Sequence, residues 1–158
     1  MKTIITSLSA LILLFIMVSC DSNSSSKTTP LDNTEILQAK ALFQTHCKAC
    51  HGASGAENGR IAPPMIAIKM HYITEQTTEE EFISAVESFV TQPSVEKSKM
   101  PGAVKRFNLM VPMPVASEDL RKIAQYVYET DLEKPEWFKD HMQSEHPNGM
   151  GGEHPTNN

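Results

Sequence analysis

Apolar positions fall on helical spacing in three stretches of the chain. In the first, Ile36, Ala39, Leu42 and Phe43 recur every three or four residues, which predicts a helix over Glu35 to His46 with Thr34 as its cap. In the second, TEEEFISAVESFV over 78–90, Phe82, Val86, Phe89 and Val90 share a face with Ala85 beside it. Thr78 with Glu81 three residues on has the form of a capping box. The third, EDLRKIAQYVYET, follows Ser117 as the expected cap, with Glu118 and Asp119 in its first turn, where acidic groups suit the helix dipole. Its stripe is Leu120, Ile123, Ala124 and Val127, flanked by Tyr126. Between these lie the Gly- and Pro-rich run GASGAENGRIAPP over 52–64, a short apolar piece from Met65 to Tyr72, and a long loop over 94–116. No repeat and no strand pattern is visible. The expected fold class is all-α, with three main helices.

The ends read differently. Lys2 followed by the apolar Leu8 to Val18 is a targeting segment, too short to span a bilayer comfortably. It ends Met17-Val18-Ser19-Cys20, which resembles a bacterial lipobox. That resemblance implies cleavage before Cys20 and lipidation of its thiol, with Met17 in place of the usual Leu. A plain signal peptide or an uncleaved anchor are the alternatives, and all three imply export. The expected organisation is a lipoprotein signal peptide over 1–19, a Ser/Thr-rich flexible tether over 20–33, one domain over 34–134, and a polar, disordered tail over 135–158. His141, Met142, His146, Met150 and His154 in the tail are potential transient copper ligands, but without fixed spacing a solvated tail is the simpler reading.

Charge narrows the class further. The net charge is −5, and no basic run is long enough to grip phosphate, so no nucleic-acid partner is expected. Loss of Lys2 with the signal would make the chain one unit more acidic, favouring a partner with a positive patch.

With Cys20 assigned to lipid, two of the three cysteines remain: Cys47 and Cys50, followed at once by His51. A redox disulfide or half a zinc site would use the two thiols, but neither explains the adjacent histidine. Cys-x-x-Cys-His reads as covalent attachment of a c-type haem, the thiols adding to its two vinyl groups and His51 ligating the iron.

The run Ala39-x-x-Leu42-Phe43-x-x-x-Cys47-x-x-Cys50-His51-Gly52 resembles the class I cytochrome c family, and the likeness extends over roughly Glu35 to Thr130. The resemblance implies a cytochrome c-like fold around one haem, with the first and last helices crossing at Ala39 and Phe43 and Tyr126 packed there. It implies a proline carbonyl, Pro63 or its neighbour Pro64, bonded to the axial histidine. It also implies a methionine as sixth ligand, for which Met100, Met113 and Met110 are candidates in that order. His71 is a remoter alternative, and His46 precedes Cys47 too closely to reach the far face.

The function implied is a monohaem electron carrier, not an enzyme, on the periplasmic side of the envelope. It would be lipid-anchored to the membrane and would serve redox proteins such as a respiratory complex and a terminal oxidase or reductase. The alternative is a haem enzyme or small-ligand sensor with an open sixth position, for which no distal acid–base set is visible beyond His71.

Overall fold

Helix α1 (Asn33–His46) begins at Asp32, one turn of backbone where two acidic side chains close the end reciprocally. The Asp32 carboxylate accepts from the Glu35 N–H at 2.8 Å, and Glu35 accepts from the Asp32 N–H at 2.9 Å. Two otherwise orphaned donors are thus satisfied, and the cap is Asp32, not the expected Thr34. In this computed structural model residues 29–145 are described. The signal segment with Cys20, most of the expected tether and the tail from 146 lie outside them.

Every element among the described residues is helical, as the all-α expectation requires. Helix α2 (Lys48–His51) is one turn; α3 (Met65–Tyr72) forms from the short apolar piece; α4 (Glu79–Thr91) carries the expected capping box of Thr78 and Glu81. Helix α5 (Pro101–Phe107) lies inside what the sequence suggests is loop. Pro101 occupies its first position, where a missing N–H costs nothing and the fixed φ already suits a helix. It ends at Asn108, whose φ of 65° and ψ of −178° lie in a strained region that L side chains rarely adopt. Helix α6 (Ser117–Glu129) is capped by Ala116, not by Ser117. The Ser117 hydroxyl is spent elsewhere, donating to Glu87 of α4 at 2.6 Å.

Helix α6 is the centre of the packing, lying against α1 on one side and α4 on the other. At the α1 crossing Ala39 is 0% exposed, and the rings of Phe43 and Tyr126 sit 5.7 Å apart. On the other side Phe82 and Ile83 of α4 bury against Ile123 and Val127. Arg121 reinforces that side by reaching Glu80 at 2.8 Å and Glu87 at 3.2 Å.

Both ends of the domain extend further than 34–134. Thr29 O accepts from Gln125, Leu31 N–H donates to Glu129, and Leu31 packs on the core, so the last residues of the expected tether are bound to α6. The expectation of disorder from 135 also fails over its first part, because Phe138–Glu145 is helix α7 and Phe138 is buried. Trp137 and Phe138 supply apolar anchorage in a segment whose average composition is polar. Among the described residues no helix is long and apolar enough to cross a membrane.

Candidate functional site

The Cys47–His51 turn follows directly from the end of α1. The Cys47 N–H closes that helix on Phe43 O at 2.9 Å, and the His51 N–H bonds Cys47 O at 2.9 Å. This single turn sets Cys47, Cys50 and His51 three and four residues apart, the spacing that shares a helix face. No disulfide joins the two cysteines; Cys50 is exposed and Cys47 half-buried. Burial, and then the neighbouring Cys50, pushes the Cys47 thiol up to about 11.

The imidazole of His51 is held from behind. Its Nδ1 lies 2.8 Å from Pro63 O. A carbonyl only accepts, so Nδ1 carries the proton and Nε2 keeps its lone pair. Of the two expected prolines it is therefore Pro63 that meets the ring; Pro64 O instead accepts from Ala67 at the start of α3. Burial lowers the His51 pKa below that of an ordinary imidazole; the Pro63 bond opposes this and Arg60 adds to it. The neutral ring so favoured is the form that binds a metal.

Arg60 organises the connecting loop. Its guanidinium and Nε donate to Gly52 O at 2.7 Å, Ser54 O at 3.1 Å and Ala62 O at 3.1 Å. These three carbonyls, in a Gly-rich loop without secondary structure, thus gain partners from one side chain. Nothing in the local sequence marks this arginine, since its partners are carbonyls that every residue possesses.

Cys47, Cys50 and His51 open onto a cavity of ≈ 420 Å³, within the range of roughly 300–1,000 Å³ usual for cofactor sites. The rest of its lining is mostly apolar, including Ile68, Tyr72, Phe82, Leu120 and Val127. All three candidate methionines line it: Met100 at the N-terminal cap of α5, and Met110 and Met113 in the extended segment after it. Met100 is buried in the core, and the other two are partly covered. His46 also lines the cavity, whereas His71 does not; its Nδ1 lies 2.8 Å from Ala67 O in its own helix. Two thiols three residues apart, the adjacent imidazole and three thioethers around an apolar cavity fit a covalently held haem. Among the described residues no cluster of three or more His, Cys, Asp or Glu could hold a metal, so a zinc site has no ligand set there.

The family model described as Cytochrome c matches residues 36–131. The chain belongs to the cytochrome c family. Its cofactor is accordingly one covalently bound haem c, and at that level it is a haem-based electron-transfer protein of a family whose members are generally carriers. A similar chain is an uncharacterized protein of Aquifex aeolicus (strain VF5), 27% identical over 134 residues, which cover 73% of this chain and 86% of the relative. No solved structure matches the chain. The family match of this cytochrome runs from α1 to the end of α6 and stops short of α7.

Proposed function

We propose that this cytochrome is a monohaem carrier with a closed His/Met site, passing single electrons between partners at the periplasmic face of a membrane. In this reading Cys47 and Cys50 hold the haem, His51 is one axial ligand and Met100 the other, with Met110 and Met113 as the alternatives. The observation that carries it is the joint lining of one apolar cavity by Cys47, Cys50, His51 and three thioethers, with His51 Nδ1 spent on Pro63. Met100 is preferred because it is buried and its backbone is pinned, its N–H donating to Ser98 Oγ at 3.1 Å.

The haem iron, when bound, supplies a one-electron ferric/ferrous couple. The chain's contribution is to hold both axial positions, keep water from the cavity and expose one edge. Pro63 fixes the imidazole plane and strengthens donation from Nε2. A thioether opposite favours the reduced state relative to a harder ligand. At the cavity's margin Ile61 and Val111 are 70% and 77% exposed, an apolar rim of the kind a weak, transient redox contact would use. Lipidation at Cys20 would hold this rim near membrane-bound partners, for which a respiratory complex and a terminal oxidase or reductase are our proposals. Replacement of Cys20 by Ser should then release the protein from the membrane fraction.

Optical spectra of the full holoprotein test the site. A methionine-to-ferric-haem charge-transfer band, with no carbon monoxide response in the ferrous form, is expected. Of Met100→Ala, Met110→Ala and Met113→Ala, only Met100→Ala should abolish the band. A high-spin spectrum that responds to carbon monoxide would instead mean an open position and an enzyme or sensor.

A further inference from the structure

The loop between His51 and Pro64 is tied to two elements that haem attachment does not require. Glu57 Oε1 accepts from Arg106 Nη1 of α5 at 3.3 Å, and Arg106 Nη2 donates to Glu57 O at 3.1 Å. The same carboxylate oxygen lies 3.1 Å from His141 Nδ1 of α7. Beside it, Trp137 Nε1 donates to Gly55 O at 3.0 Å, and the Arg60 guanidinium lies 5.8 Å from the Trp137 ring.

These contacts have a direction. The loop runs to Pro63, whose carbonyl holds His51, while α5 follows Met100 at its cap and leads into Met110 and Met113. Ala103, Val104 and Phe107 of α5 line the same cavity as Ile61 and Pro63. Glu57 is therefore where the segment behind the imidazole is joined to the segment that carries the thioethers. Helix α7, the strap that grips Glu57 from the other side, lies beyond the matched family region.

We propose that Glu57 is a positioning residue for the sixth ligand, joining the His51 loop to α5 through Arg106, with α7 holding it in place through His141 and Trp137. This rests on the His/Met reading above. A neutral thioether is a weak ligand, and a small displacement of its segment changes how often the position opens. Both ion-pair partners are partly exposed, at 44% and 34%, so the effect is modest by the standard of such pairs. It falls on the one bond in the site that is easiest to lose.

The test uses the full-length ferrous holoprotein and measures the rate of carbon monoxide binding, which requires the thioether to leave. Glu57→Gln should raise that rate about 1.5-fold to fivefold, the scale of a partly exposed ion pair. Trp137→Phe, which keeps an aromatic ring and loses the donor, should raise it roughly twofold by loosening the strap. Arg106→Gln added to Glu57→Gln should raise it further, because the Arg106 bond to the Glu57 carbonyl survives the first change, but by less than the product of the two single effects. Urea unfolding of each variant should stay near wild type. Unchanged carbon monoxide rates, or rates that rise only as far as global unfolding explains, would overturn the positioning role. A wild-type ferrous protein that binds carbon monoxide without delay would sink the closed-site reading first, and this inference with it.

Discussion

Lys69 is 4% exposed, and its ammonium donates to Tyr128 O and Thr130 O, both at 2.8 Å. Those carbonyls belong to the C-terminal end of α6, where acceptors lack helical partners and a cation suits the dipole. The side chain is thus a buried bolt from α3 to α6, and burial lowers its pKa while Asp131 opposes the shift. Lys69→Met keeps the stem and removes the donors, leaving two covered acceptors without partners. It should cost about 2 kcal/mol, read as a lower urea midpoint with the haem spectrum unchanged. At this scale the haem motif was the legible part of the sequence. Cys47, Cys50 and His51 act through fixed local spacing, which a sequence displays directly. Lys69 and Arg60 act on distant or backbone carbonyls, and no pattern of residue types announces such partners.

The elements show where helical periodicity succeeds and where it runs out. Helices α1, α4 and α6 are long enough for three or four turns of apolar spacing, and their existence follows from it. Helices α5 and α7 have seven and eight residues, too few for a periodic face to stand out from a Pro- and Gly-rich background. α5 depends on Pro101 at its start, and α7 on the anchorage of Trp137 and Phe138. Caps follow chemistry that is local but ambiguous: Thr34 and Asp32 are both suitable residue types, and the reciprocal bond to Glu35 decides for Asp32. Asp32→Ala and Thr78→Ala should each cost about 1 kcal/mol, whereas Thr34→Ala should fall well short of that. Parallel urea titrations of the three variants check the assignment. At the α1–α6 crossing, where Ala39 is fully buried, Ala39→Leu forces three extra heavy atoms into the contact. A loss of about 1–3 kcal/mol is expected, with haem retention falling as the terminal helices part.

Across the whole molecule, one acidic group joins three separate parts of the chain. Glu79, in the first turn of α4, meets Glu129 and Gln125 of α6. Glu129 and Gln125 in turn hold the N-terminal segment at Leu31 and Thr29. One oxygen of Glu79 is buried without a hydrogen-bond partner among the described residues. Burial first, then the charge of Glu129, pushes its carboxyl from an ordinary 4.5 up to about 7, and Glu80 adds to the shift. Burial first, and then the same carboxylate, raises the Tyr128 hydroxyl. A raised carboxyl binds its proton more tightly in the folded chain than in the unfolded one. Below about pH 4.5 both states hold the proton, and its contribution to stability is complete. Between there and about pH 7 the unfolded chain has released it and the folded chain has not, so stability falls as pH rises. Above that, the folded protein keeps two carboxylates in contact. Glu79→Gln preserves a donor toward Glu129 and cannot ionise, so it should be more stable than wild type at pH 8. That advantage should shrink steadily as the pH is lowered to 5. Urea midpoints of both proteins at the two pH values decide it. A difference that does not change with pH would mean that Glu79 stays ionised throughout, and that the contact between α4, α6 and the N-terminal segment does not depend on a shared proton.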